Sequence, residues 1–193
     1  MIILIDNGHG IETKGKRSPE WDFGQVIEWE YNRRVARKLK NELADHKIHA
    51  ELIVPEDTDV PLSERTKRIN LIAAKNGLND TLLISIHCNA FTTDKPRGWE
   101  IHTYTSTSDF TDFCAQTFLR TAKRLLPPDI PIRNNGQPFR SNFQILRDSM
   151  CPALLTENLF MSNEFDCRFM LSEMGFNSIV DIHLDAILNI ISK

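Results

Sequence analysis

Short apolar runs bounded by turn residues alternate along the chain with longer amphipathic stretches. Ile2-Ile-Leu-Ile5 is continuously apolar, as a strand covered on both faces requires, and it breaks at Asp6. From about Ile27 to Ala44, Tyr31, Val35, Leu39 and Leu43 recur four apart, which predicts a helix with one apolar stripe. Ala50 to Val54 reads as a second strand. Asp59 and Pro61 mark the start of a second helix with Leu62, Ile69, Ile72 and Ala73 on its apolar face, and Gly77 stops it. Thr81 to Ile86 predicts a third strand and Trp99 to Tyr104 a fourth. A helix from about Phe110 to Leu126 ends at Pro127-Pro128, which cannot continue it. The Pro-, Asn- and Gly-rich stretch from Pro127 to Ser141 predicts an irregular loop. Phe143 to Leu146 reads as a fifth strand and Ala153 to Thr156 as the last. Two helices close the chain, the second with Ile179, Ile182, Ala186, Ile187 and Ile190 at helical spacing.

Strands alternating with helices imply βαβ units. The expected fold is α/β: a mainly parallel, twisted sheet of about six strands with helices on both faces. With 193 residues and 41% hydrophobic content the chain can bury a full core, so residues 1–193 are expected to form a single domain. Twenty-three basic residues against 26 acidic ones leave a net charge of −3 without any basic block, which argues against a nucleic-acid partner. The first apolar run is too short for an export signal or a transmembrane segment, and neither is expected. Oligomeric state is left open. Cys88, Cys114, Cys151 and Cys167 lie far apart with no C-x-x-C pair, which favours free thiols over a structural metal cluster.

Open α/β sheets place ligands beyond the carboxyl ends of their strands. His9 follows the first predicted strand, His87 the third and Glu157 the last. Two histidines and one carboxylate are a familiar ligand set for catalytic zinc, leaving a fourth position for water. Glu28 and Glu30 both compete for the carboxylate role. At about 100° per residue Glu28 falls on the stripe of Tyr31, Val35, Leu39 and Leu43, while Glu30 points away, so Glu28 is favoured. Gly8 and Gly10 allow the backbone to turn sharply around His9.

Each residue also has a bland reading: a turn histidine for His9, a packed one for His87, a wet first-turn acid for Glu28, and a salt bridge to Arg147 or Arg65 for Glu157. Their joint placement favours the metal. His46 and His49 are expected to be exposed, His183 to be packed and hydrogen-bonded, and His102 to stay out of the cleft. Arg65 falls on an apolar helical stripe, where it would brace buried carbonyls or an acid.

These residues resemble those of the zinc-dependent N-acetylmuramoyl-L-alanine amidases of the amidase-3 type. The resemblance rests on Asp6-Asn-Gly-His9-Gly10, on Glu28 with Asn32 and Val35-Ala36, and on Leu62-Ser-Glu-Arg65 with Asn70. It continues through Ser85-Ile-His87-Cys-Asn89-Ala90 and Pro152-Ala-Leu-Leu-Thr-Glu157-Asn-Leu-Phe160-Met-Ser-Asn163. It implies a zinc-exopeptidase-like (phosphorylase/hydrolase-like) fold, one catalytic amidase domain over residues 1–193, and one zinc ion held by His9, Glu28 and His87. Glu157 would be the catalytic carboxylate, and the substrate peptidoglycan or a muropeptide, cut between N-acetylmuramic acid and L-alanine. The chain departs from the family in lacking a further Gly and Asp after His9 and in the character of Ile11 to Gln25, which would reshape the cleft mouth.

Arg133, Arg140 and Arg147 are candidates for orienting stem-peptide carboxylates. Some members are shut by an extra helix over the zinc; the loop from Pro127 to Phe143 has no such periodicity, so an open site is expected. The alternative enzyme is a zinc carboxypeptidase-like peptidase or deacylase. A silent wall-binding module is a third reading, disfavoured because no ligand or base position is lost. Action on the cell wall without a signal peptide is reconciled by phage- or prophage-type release, or by a leader trimmed from the chain.

Overall fold

The computed structural model describes residues 1–193. Its order is β1 (Ile2–Asn7), α1 (Glu28–Asp45), β2 (Ala50–Leu52), α2 (Leu62–Asn76), β3 (Thr81–Asn89), β4 (Glu100–Thr103), α3 (Asp109–Leu125), β5 (Phe139–Arg140), α4 (Gln144–Arg147), β6 (Ala153–Phe160), α5 (Glu164–Leu171) and α6 (Glu173–Ile191). The strands form one six-stranded sheet in the order β2-β1-β3-β6-β4-β5. Only the β4–β6 pairing is antiparallel. The α/β architecture expected from the alternation of elements is the one observed.

The continuous apolar runs of β1 and β3 are explained by cover on both sides. Ile3, Ile5, Leu82, Ile84, Ile86 and Leu154 face the larger core, which α1, α3, α5 and α6 close. Ile2, Leu4, Leu83, Ala153 and Leu155 face a smaller core with Ile69 and Ala73 of α2 and with Ile145 and Leu146 of α4. α6 is long and apolar enough to cross a bilayer by length and composition, but its Ile179, Ile182, Ala186, Ile187 and Ile190 are packed into the larger core. Ser108, Asn163 and Ser172 cap α3, α5 and α6 through their side chains. α1 has no side-chain cap; its first residue, Glu28, is engaged elsewhere.

Two sequence expectations need correction. Phe143 to Leu146 is not a strand. Ile145 and Leu146 both turn into the smaller core from the single helical turn α4, and the fifth strand is instead the two-residue Phe139–Arg140. Two residues of apolar alternation cannot separate a strand from a helical turn. In addition, β3 and β6 run on beyond Ile86 and Thr156, so His87 and Glu157 lie within strands rather than just after them. Their extension is irregular: the register shifts between His87 and Asn89, and Leu159 is forced to φ 72°. A bulge of this kind re-aims side chains at a sheet edge.

Candidate metal centre

β1 ends at Asn7, and His9 adopts φ 67°, a left-handed conformation that needs outside support. Two buried arginines give it. Arg33 of α1 donates to the His9 carbonyl at 2.8 Å and Arg65 of α2 at 3.3 Å. Arg65 also donates to the carbonyls of Val60 and Asn7 and to Asp6, as its place on the apolar stripe of α2 predicted. The flanking glycines are needed for close approach. A Cβ on Gly8 would stand 2.1 Å from the His87 ring, and one on Gly10 2.1 Å from the Asp59 backbone.

His87 is placed by its own strand and by β6. Asn158 donates to the His87 carbonyl at 3.0 Å and accepts from the indole of the fully buried Trp99 at 2.9 Å. The His9 and His87 rings meet edge to face with centroids 5.1 Å apart. Glu28, 1% exposed, reaches them from the first turn of α1: its Oε1 lies 3.4 Å from His9 Nε2 and 3.3 Å from His87 Nδ1. The same oxygen accepts the Cys88 backbone N–H at 3.1 Å. Glu30 is exposed, so the helical phase separated the two acids correctly.

His9, Glu28 and His87 each offer a ligand atom, and these atoms lie within 4.8 Å of one another. Burial opposes ionisation of Glu28, but hydrogen bonds and charge from His87 and His9 outweigh it and hold the carboxyl well below its usual range. His87 is raised: burial pulls it down, and the hydrogen bond to Glu28 with the negative charges of Glu157, Glu28 and Asp6 overcomes that. Glu28 Oε2 is buried with no partner. A buried anion with one bare oxygen between two imidazoles is costly unless a cation completes it, so the donor set fits a zinc-like ion.

Glu157 lies opposite His87 in the β3–β6 register. It makes no salt bridge, and its Oε2 is also buried without a partner. Burial pushes its carboxyl up to about 8; His87 opposes this, and Glu28 and Glu100 add to it. His9 and His87 keep side-chain exposures of 19% and 17%, so the cluster opens to solvent. α4, the only helix following the Pro127 loop before β6, packs into the smaller core instead of over the two histidines.

His46, His49 and His183 behave as expected. His183 is buried between Thr156 Oγ1 and the Ile179 carbonyl, and burial lowers it to about 4. His46 and His49 are exposed. His102 is buried, stacked on Phe139 and bonded to Glu100 and Ser141. Of the loop arginines, Arg140 is not free to meet substrate, because Asp112 and Thr103 hold its terminal nitrogens; Arg147 is tied to Asp148 and Asn142. Sequence reasoning missed Arg33 and Glu100. Arg33 lies one residue past Asn32 on the buried side of α1, and Glu100 heads a strand otherwise read by its apolar residues. All four cysteines are free.

Residues 3–189 match the family Amidase_3, N-acetylmuramoyl-L-alanine amidase. The chain is 24% identical over 193 residues to an endolysin of Bacillus phage SPP1, covering 99% of this chain and 66% of that one. It is 26% identical over 189 residues to the N-acetylmuramoyl-L-alanine amidase CwlM of Bacillus licheniformis, covering 96% and 66%. It spans about half to two thirds of the length of the curated relatives it matches. Among solved structures, an N-acetylmuramoyl-L-alanine amidase from Clostridium difficile 630 superposes with a TM-score of 0.86 at 25% identity, covering 100% of this chain and 97% of that one.

Proposed function

The chain belongs to the Amidase_3 family of N-acetylmuramoyl-L-alanine amidases, and we propose that it hydrolyses the amide between the lactyl group of N-acetylmuramic acid and the L-alanine of the stem peptide. The observation that carries this reading is the meeting of His9, Glu28 and His87 within 4.8 Å, next to the bare carboxylate of Glu157. We assign His9, Glu28 and His87 as the residues that would hold one zinc ion and Glu157 as the catalytic carboxylate. Bound there, zinc supplies Lewis-acid polarisation of the scissile carbonyl and lowers the pKa of water from about 15.7 toward about 7.

The protein's own residues do the rest. Glu157 takes the proton of the attacking water and returns it to the alanine nitrogen, because an amide anion is too poor a leaving group to depart unprotonated. Its raised proton affinity suits a group that must both accept and release a proton near neutrality. Arg33 and Arg65 keep His9 in its turn, and Asn158 keeps His87 beside Glu157. The names of the phage and bacterial relatives support action on the cell wall, reached by release at lysis or by export with a leader.

Incubation with a defined muropeptide and mass analysis tests the reading. The expected products are a lactyl-bearing sugar and a stem peptide beginning at L-alanine, with activity lost to a chelator and restored by zinc. Release of the carboxyl-terminal residue alone would replace this reading with the carboxypeptidase one.

A further inference from the structure

His87, Glu157 and Glu100 are register partners on three adjacent strands, β3, β6 and β4, so they form a row across the sheet. One strand spacing of about 4.8 Å separates neighbours, which places Glu100 beyond Glu157 on the side away from the histidine cluster. Glu100 is 6% exposed. Its Oε2 accepts from Asn89 at 3.0 Å and lies 3.2 Å from His102 Nε2, while its Oε1 accepts from Arg133 Nε. The Arg133 backbone N–H is bonded to the Trp99 carbonyl at 3.0 Å, and its guanidinium lies 4.9 Å from the centroid of the Phe160 ring.

Arg133 is therefore held by its backbone, its Nε and one face, yet its two terminal nitrogens have no partner in the protein and the side chain keeps 36% exposure. Arg140 and Arg147, by contrast, have their terminal nitrogens occupied. We infer that Arg133 is a carboxylate receptor that makes the site select stem peptides with a free α-carboxylate on the residue after L-alanine. This rests on the amidase reading above and names the substrate class within it.

A guanidinium fixed through Nε presents its remaining N–H groups as a planar fork, the geometry that grips a carboxylate in two places. Because the arginine is already ordered, little side-chain entropy is lost on binding. The reach also agrees. In an extended peptide the carboxylate of the second residue lies about 7 Å from the scissile nitrogen. One strand spacing and one ion pair separate Glu157 from the Arg133 fork, a span of the same scale. Lys16 is a cation whose charge reaches Glu157, but it is an exposed point charge on a flexible stem, without the planar fork that Arg133 presents.

The test compares muramyl-L-alanyl-D-isoglutamate with its amidated counterpart, muramyl-L-alanyl-D-isoglutamine. Dissociation constants are measured by calorimetry on chelator-treated protein, and KM and kcat on the zinc-loaded enzyme. The wild type is expected to favour the acid by about tenfold or more in both Kd and KM, with similar kcat. Arg133→Gln should lose that preference by weakening the acid alone, and Arg133→Lys, which keeps a cation beside Glu100, should retain part of it. Equal binding of both compounds by the wild type, or an equal loss for both in Arg133→Gln, would overturn the inference and leave the amidase reading standing. A wild type that neither binds nor cleaves either compound would overturn both.

Discussion

The brace beneath the His9 turn and the cleft beside it share one edge of the sheet, and each contains a buried acid. In the brace, Asp6 accepts from Arg65 at 2.9 Å on one oxygen and from Ser85 Oγ at 2.5 Å on the other. In the cleft, Glu28 and Glu157 each keep a buried oxygen with no partner. A buried acid with both oxygens satisfied adds rigidity; a half-satisfied one is costly and persists where a ligand or reaction completes it. His9 belongs to both regions. Its carbonyl is held by the brace and its ring faces the cleft, so the strain of its backbone is borne by groups that take no part in chemistry.

Substitutions should separate the two regions. The largest effect on activity is expected from Glu157→Gln: a fall of about 10²- to 10⁴-fold in muropeptide cleavage, with zinc stoichiometry and thermal midpoint unchanged or slightly improved. A native rate in that variant would remove Glu157 from the reaction. Arg65→Met should instead act first on stability, costing roughly 3–5 kcal/mol in denaturant unfolding because Asp6 is left buried without its cation. If unfolding shows no such loss, the brace is not structural.

A smaller effect, about 3 kcal/mol, concerns His183, which bonds Thr156 on the opposite face of β6 from the cleft. Its folded-state pKa of about 4 lies below the unfolded 6.5. The unfolded chain therefore binds more protons between those values. Stability is fully present above about pH 6.5 and lost as the pH falls toward 4. Urea midpoints at pH 7.5, 5.5 and 4.5 should show the decline and His183→Gln should flatten it. Both are read in the Glu157→Gln background, because the titration of that carboxyl runs the other way. A decline of equal size with His183 removed would assign it to other groups.

The grouping of His9, Glu28 and His87 was legible from local pattern. The helical phase of α1 distinguishes Glu28 from Glu30, and apolar runs point His9 and His87 toward one sheet edge. What was not legible depends on which strands become neighbours. Glu100 gains meaning only because β4 pairs antiparallel with β6 and sets it opposite Glu157, and Arg133 only because its backbone docks on Trp99. Arg33 follows the polar Asn32 in the first turns of α1; nothing along the helix says that both its neighbouring loops will turn carbonyls toward it. Phe143 to Leu146 was misread because a four-residue stretch is too short for either period to declare itself.

The position of β6 has a consequence for biosynthesis. The strand of this sheet that is synthesised last, β6, is inserted between β3 and β4, near the middle of the sheet, and not added at a margin. Without β6 the remaining pairings are β2-β1-β3 on one side and β4-β5 on the other, and joining them through a strand so distant in sequence is non-local pairing, which is slow to form. Any translation product that stops short of β6 also lacks Glu157, the carboxylate proposed above to move the proton.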